Sequence, residues 1–367
     1  QAVTPMDVGF AVAAPEFDGN LISVAMATRE QTRRDPLTGA MLTHMEAIPG
    51  RVDKIACLAR NWGRLALKTN ADKRIAIVFH NYPPRNDRIG CAAGLDSFAS
   101  ISDLLARLRD EGYRVDDVYP DPQDLANSMI GGLTSDQRWL TMDKLAHRAA
   151  DQAGPERTGP WTAELPARSQ AHLAADWGPS PGELFVHDGK VLINGFINGN
   201  VYLGVQPPRG FIEQPEKIHD PHLAPSHHYL FYYRWVRDVF GADAVIHVGK
   251  HGSLEWLPGK SVGLSRECYP DLAIMDLPKA WTIWLFDQTD MARAKETIGT
   301  VACIQGNIPL SLMHAGTTDE VVAQTKKLID VAGKDGGFIL DVGAVADEGK
   351  DENLMAMMNT AKEYGVY

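Results

Sequence analysis

Only four of the 367 residues are cysteine, Cys57, Cys91, Cys268 and Cys303, and none forms a C-x-x-C pair. That excludes a disulfide framework and a zinc knuckle, and leaves reduced thiols as the expected state. Long hydrophobic runs are missing too. The longest, Ile75–Phe79 and residues 242–248, fall far short of the roughly 20 apolar residues that a helix needs to cross a bilayer. No secretory signal pattern is visible, so the expected location is the cytoplasm. Positive charge is also in short supply. With 36 Lys and Arg against 47 Asp and Glu, the net charge is -11, which leaves no basic excess for nucleic-acid or lipid phosphates. A metal cation or a basic partner surface suits this balance, whereas nucleic acid and membrane are excluded as partners.

What is present is ordinary for a folded protein: 44% hydrophobic and 23% charged residues. The length exceeds that of one compact domain, so two or more are expected. From Arg74 an apolar run (IAIVFH), a Pro- and Gly-rich loop and an amphipathic stretch over residues 97–111 predict strand, loop and helix. Ile101, Leu104, Leu105 and Leu108 share one helical face, and Gly112 supplies the stop. YRVDDVYP then reads as the next parallel strand of a βαβ unit, whose ligand end is the loop after the first strand.

Residues 120–180 hold more Gly, Pro and polar residues, with helical patches around Leu125 and Met142, and lead toward another lobe. VLINGFINGNVYLGVQPP predicts a hairpin turning at Gly199 and Asn200. Residues 229–240 read as a helix and AVIHVG as a buried strand. Beyond Leu285 the pattern predicts regular β/α alternation: helices over 291–298, 319–331 and 352–364, strands at TVACIQGN and GFILDVG.

In HVGKHGSLEWLPGK, residues 247–260, His247, His251 and Glu255 recur every four positions. On a helix all three would share a face. Gly249 and Gly252 oppose a helix, so a strand end and the loop after it are the expected setting. Imidazole and carboxylate ligate a borderline divalent ion such as Co²⁺, and both accept protons. The competing reading is loop histidines bonded to backbone, the commoner fate of an isolated H-x-x-x-H pair.

Gly259, Lys260 and Ser261 mimic the end of a phosphate loop, but six residues separate Gly252 from Gly259 where that loop has four. Pro258 also lacks an amide donor. No nucleotide site is therefore expected in this chain. A second cluster holds His219, Asp220, His222, His227 and His228, followed by Tyr229, Phe231, Tyr232 and Trp235. It offers either flat faces and proton carriers for a planar ligand or one helix's core face behind a Pro-rich turn. Arg209 in GVQPPRG is placed to clamp a carboxylate. Glu16 and Asp18 in PEFDGN fit a solvated turn equally well.

PEFDGN, FHNYPPRNDRIGCAAGLDSFAS, NGNVYLGVQPPRG, APSHHYLFYYRW, GADAVIHVGKHGSLEWLPGK and CYPDL, in this order, resemble the large-subunit family of aerobic cobalt chelatase (CobN) and the magnesium chelatase H subunit, over about residues 5–280. The resemblance implies a tetrapyrrole-binding subunit that works with AAA+ ATPase partners. Those partners use the ATP and Mg²⁺, while Co²⁺ is the metal inserted. Lys250 and Trp256 look like the cobalt branch, which implies a corrin precursor, hydrogenobyrinic acid diamide, as substrate. His247, His251 and Glu255 are then expected to be catalytic and metal-handling. Arg209, His227, His228, Trp256 and Lys260 are expected to bind substrate.

From about residue 281, DQTDMARAKETIG, IQGNIPLSLMHAGTTDEV and GGFILDVG resemble instead the end of the uroporphyrinogen decarboxylase superfamily, which includes corrinoid methyltransferases. About two β/α units of an eight-unit barrel could fit here. Ala344 stands where the zinc-dependent members carry a ligand cysteine, which argues against methyl transfer. The expected architecture is multi-lobed α/β, a chelatase-type fragment with lobes at 1–150 and 151–280, followed by a partial β/α-barrel-like tail at 281–367. With neither half complete and Gln1 as the first residue, the join near Pro278 is expected to be an assembly chimera of two fragments rather than a natural fusion. A tetrapyrrole-binding module without chemistry, a magnesium chelatase H-type subunit and a corrinoid or uroporphyrinogen decarboxylase-family methyltransferase read from the tail are the alternative functions.

Overall fold

A computed structural model describes residues 24–92, 95–210, 220–249, 254, 257–260, 264–281, 285–286, 291–297, 304–334, 336–342 and 349–365. The chain divides into two compact units, one running to Cys91 and resuming over Ile101–Ala280, the other Ala92–Ser100 with Trp281–Tyr367.

The first unit contains an antiparallel hairpin, β1 (Ala27–Arg34) and β2 (Met41–Ala47). Its turn is closed by the Asp35 carboxylate, which accepts from the Leu37 and Thr38 amides. Helix α1 (Arg51–Leu67) precedes β3 (Ile75–Phe79), and α2 (Ser97–Asp110) is followed by Gly112 at φ 83, the left-handed stop expected from the sequence. Next come α3 (Pro122–Gly131), α4 (Met142–Arg148), β4 (Asp151–Ala153), α5 (Pro155–Ala163), α6 (Ala167–Trp177), β5 (Val186–His187) and β6 (Lys190–Ile193). They are followed by β7 (Phe196–Asn198), β8 (Val201–Val205), α7 (His227–Asp238), β9 (Ala244–Val248), α8 (Tyr269–Ile274) and β10 (Lys279–Trp281).

Five strands form the main sheet in the order β10-β9-β3-β8-β7. β3 lies at its centre, parallel to both β8 and β9, and β7 folds back antiparallel on β8 across the Gly199–Asn200 turn. IAIVF and VYLGV are buried at every position, as strands covered on both faces must be. One covering element is α7, whose Tyr229, Tyr232, Trp235 and Val236 join Ala76, Val78 and Tyr202 in the core. A smaller antiparallel sheet has the order β4-β6-β5. The main sheet takes strands from both sides of residue 150.

YRVDDVYP is not a strand, contrary to expectation. Its backbone is held by a side chain and a turn instead of a ladder. The Asp117 amide donates to Asn198 Oδ1, Asn198 Nδ2 donates to the Asp117 carbonyl, and the Asn200 amide donates to the Arg114 carbonyl. The parallel neighbours of β3 come from β8 and β9, both far along the chain.

The second unit alternates β11 (Leu285–Phe286), α9 (Met291–Thr297), β12 (Ile304–Ile308), α10 (Leu310–Ala315), α11 (Thr318–Leu328), β13 (Phe338–Val342) and α12 (Asp351–Tyr364). Its three strands are parallel, in the order β11-β12-β13. A capping box between Thr317 and Glu320 starts α11, and Ile304, Ile308, Met313, Val321, Leu328 and Met357 fill the core. Among the described residues, three strands form this sheet, fewer than the eight that close a barrel. Ala344 lies outside the described residues. Among those described, no helix is long and apolar enough to cross a membrane.

Candidate functional site

In open α/β sheets the ligand crevice lies beyond the carboxyl ends of the parallel strands. At that end of β3 stands His80, whose amide donates to the Val248 carbonyl at 2.7 Å and whose carbonyl accepts from Gly90 at 2.6 Å. At the end of β8, the Gln206 amide donates to the Phe79 carbonyl at 2.8 Å. On β9, His247 sits in register with Val78 and is only 3% exposed. Three strand ends therefore bring His80, Gln206 and His247 to one edge of the sheet, where the HVGKHGSLEWLPGK loop begins.

Beneath them runs a buried polar row. Gln206 Nε2 donates to the Tyr229 hydroxyl at 3.2 Å and to the Tyr233 hydroxyl at 2.8 Å. The Tyr233 hydroxyl lies 3.1 Å from His247 Nε2, with the two rings edge to face. Burial holds the His247 imidazole well below its ordinary basicity, and the nearby Lys279 and His80 push the same way. His247 is thus a neutral, fixed group at neutral pH.

Gly249 sets how closely β3 and β9 approach. Its φ is 122, and a Cβ there would fall 2.8 Å from the His80 Cβ. Gly249→Ala is expected to lower stability by about 1–3 kcal/mol through backbone strain alone and to part the two strand ends. Urea unfolding of the variant measures this, and an unchanged midpoint would mean the strand ends tolerate a side chain.

His251, Glu255 and Trp256, three of the residues singled out in the sequence, lie outside the described residues. Among those described, no group of three or more His, Cys, Asp or Glu side chains is arranged to hold a metal ion.

His227 and His228 begin α7 and face inward. His227 Nε2 donates to the Gly178 carbonyl at 3.0 Å. His228 is fully buried, stacked on Phe185 at 4.6 Å, and donates from Nε2 to the Leu192 carbonyl at 2.8 Å. Burial lowers its pKa to about 4. Tyr229, Phe231, Tyr232 and Trp235 are core residues, so the helix buries the aromatic stripe that the sequence offered as either core or ligand surface. Arg209, 1% exposed, donates to the Asp220 and Leu223 carbonyls and fastens the turn that leads into α7.

Lys260 borders a different hollow, a cleft of about 460 Å³ shared with Arg168, His172, His222, Cys268 and Tyr269. Its amide donates to Cys268 Sγ at 3.4 Å, as the Ser265 amide does at 3.3 Å. Burial works to raise the Cys268 thiol, but the hydrogen bonds from Ser265 and Lys260 outweigh it and hold the thiol below its usual pKa.

Sequence reasoning passed over His80, Gln206 and Tyr233. A signal existed for the first: IAIVFH and AVIHV both set a histidine at the end of an apolar strand.

Residues 1–295 match the family described as CobN/Magnesium Chelatase. The chain belongs to the CobN/magnesium chelatase family. This family member is 42% identical over 294 residues to an uncharacterized protein of Methanocaldococcus jannaschii, an overlap of 80% of this chain and 24% of that protein. Against the aerobic cobaltochelatase subunit CobN of Pseudomonas aeruginosa it is 37% identical over 298 residues, 80% of this chain and 23% of the relative. The catalytic subunit of cobaltochelatase from Mycobacterium tuberculosis has a similar structure, with a TM-score of 0.65 and 35% identity, covering 90% of this chain and 28% of that one. The chain thus spans about a quarter of the length of the curated relatives it matches. Residues 273–364 also match the family described as Uroporphyrinogen decarboxylase (URO-D), so the CobN/magnesium chelatase match runs past the boundary expected near 280 and overlaps the second.

Proposed function

We propose that this chain is the tetrapyrrole-binding, metal-inserting part of an ATP-dependent cobalt chelatase, which places Co²⁺ in hydrogenobyrinic acid diamide. The observation that carries this reading is the meeting of His80 and His247 at the carboxyl ends of β3 and β9, where the HVGKHGSLEWLPGK loop starts, in a chain of the CobN/magnesium chelatase family. Insertion into a corrin exchanges its one inner N–H proton for Co²⁺ and leaves a net positive charge on the complex, so the site must guide a cation inward and lead a proton away. His251 and Glu255 supply metal delivery and proton acceptance from the loop, with His247 as the fixed group from which that loop departs. Trp256 and Lys260 flank the ring, the lysine meeting one of its carboxylates. The net charge of -11 favours approach of the cation. AAA+ partner subunits hydrolyse ATP with Mg²⁺.

A second reading, tetrapyrrole binding without turnover, is favoured by the share of about a quarter that this chain spans of its relatives. One experiment separates the two. The purified chain, the ATPase subunits, ATP, Co²⁺ and the corrin precursor are combined, and insertion is followed by visible absorbance. The chelatase reading expects turnover that His251→Ala abolishes while ring binding persists. Insertion unaltered in that variant would sink the assigned roles, and ring binding with no turnover in the unmodified chain would favour the second reading.

A further inference from the structure

The cleft beside Lys260 runs against the charge balance of the chain. The whole protein has 47 acidic residues against 36 Lys and Arg. The walls of this 460 Å³ hollow hold Arg168, Lys260, His172 and His222 against one carboxylate, Glu267, among the described residues. Glu267 meets Arg168 at 3.5 Å, a loose pair with both side chains more than half exposed. Such a pair is worth little and is readily exchanged. The Lys260 side chain is exposed, and its ammonium has no hydrogen-bonded or ion-pair partner among the described residues. Its backbone, by contrast, is pinned. The Lys260 amide donates to Cys268 Sγ at 3.4 Å, and the Pro258 carbonyl accepts from the Tyr269 amide at 3.0 Å. The opposite wall is held as firmly. His172 Nε2 faces two acceptors, the Asp176 carboxylate at 3.2 Å and the His222 carbonyl at 2.9 Å, so that nitrogen carries a proton and ties α6 to the turn at His222. His172 Nδ1 lies 3.1 Å from the Tyr269 hydroxyl, which ties α6 to α8 as well.

We propose that this cleft is a carboxylate-binding site in which Lys260 and Arg168 hold the acid side arms along one edge of the tetrapyrrole. The proposal deepens the chelatase reading and rests on it for the identity of the ring. It adds a second cation, Arg168, and a hollow of defined walls to the single contact expected of Lys260. The guanidinium turns from Glu267 to a ligand carboxylate and meets it through two parallel N–H bonds, while the lysine acts as a point charge. Lys260 breaks no existing bond to do so. With the backbone on both sides already fixed, binding orders little beyond these two side chains.

The test measures binding to the whole chain by quenching of tryptophan fluorescence, without Co²⁺ or ATPase subunits. The ligands are hydrogenobyrinic acid diamide and its fully methyl-esterified form. Lys260→Met and Arg168→Met, with folding checked by circular dichroism, should each weaken binding of the acid about tenfold, the loss of one charge-assisted hydrogen bond. Neither should change binding of the ester. An equal loss with both ligands, or no loss with either, would overturn the proposal. A second probe does without the ring. Succinate, with succinamide as its uncharged counterpart, is titrated into the ¹⁵N-labelled chain while amide resonances are followed. Succinate alone should shift the amides of Lys260 and Tyr269, and Lys260→Met should reduce that shift. Equal shifts with both probes, or none with succinate, would again overturn the site. A chain that takes succinate but no tetrapyrrole would keep the carboxylate site and sink the chelatase reading, so the two failures are told apart.

Discussion

Asp271→Asn is expected to destabilise the first unit by about 3–5 kcal/mol, the range found when one partner of a buried ion pair is removed. The carboxylate sits at the start of α8, 6% exposed. It takes a two-pronged bond from Arg51 on α1, with both N–O distances at 2.9 Å, and a further bond from Lys54. Arg51 is 3% exposed. The asparagine fills the same space but leaves a buried guanidinium and a mostly buried ammonium without a counter-charge, and their desolvation then goes unanswered. Urea unfolding followed by tryptophan fluorescence measures the loss. The triple substitution Arg51→Met, Lys54→Met and Asp271→Leu should recover most of it, because apolar packing of similar volume replaces all three charges. A loss below about 1 kcal/mol, the level of a surface pair, would mean that water reaches the carboxylate. The consequence reaches the site. Cys268, just ahead of α8, receives the Lys260 and Ser265 amides, so a loosened α8 releases the far end of the 247–260 loop. Under the proposed chelatase function, the variant should therefore lose tetrapyrrole affinity as well as stability.

Local signals in the sequence identified many elements of the fold. IAIVF, AVIHV and VYLGV are short apolar runs bounded by turn residues, and each is a strand of the main sheet. Gly112 and the Gly199–Asn200 turn sit where their left-handed or tight-turn chemistry is needed. What stayed hidden depends on pairing. Nothing in YRVDDVYP says that Asn198 will take its backbone bonds, and nothing in IAIVF says that its parallel neighbours lie more than a hundred residues on. The same limit applies to the site. His247 stands out by its spacing to His251, but its partners Tyr233 and Gln206 lie 14 and 41 positions away, with no motif to join them to it. His227 and His228 drew attention as a dense histidine pair. Whether such a pair meets a ligand or a carbonyl is decided by which way α7 rolls against the sheet, and the aromatic stripe next to them turns them inward.

That inward turn makes the fold sensitive to mild acid, the second large effect expected. In the unfolded chain His228 titrates near its ordinary value of 6.5, whereas in the folded chain burial holds it at about 4. Between these values the unfolded state binds the proton and the folded state does not, so stability falls as the pH falls through this window and levels off below it. A gap of about 2.5 units corresponds to roughly 3 kcal/mol for His228 alone. His227 and His247, also lowered chiefly by burial, act in the same direction. Carboxylates do not produce this window. Asp136 is held low first by the hydrogen bond from Arg138, and Asp151 by bonds from Trp235 and Arg157 that outweigh its burial. Their contributions fade only as the pH drops through and below the ordinary aspartate range, 3.8 in the unfolded chain. Urea unfolding at pH 7 and pH 4.5 should thus show a marked loss, and His228→Gln separates its source. The glutamine amide can still donate to the Leu192 carbonyl but does not titrate, so the variant should lose less stability between the two pH values than the unmodified chain. Equal losses would assign the acid sensitivity to other groups and show that His228 takes up its proton within the fold.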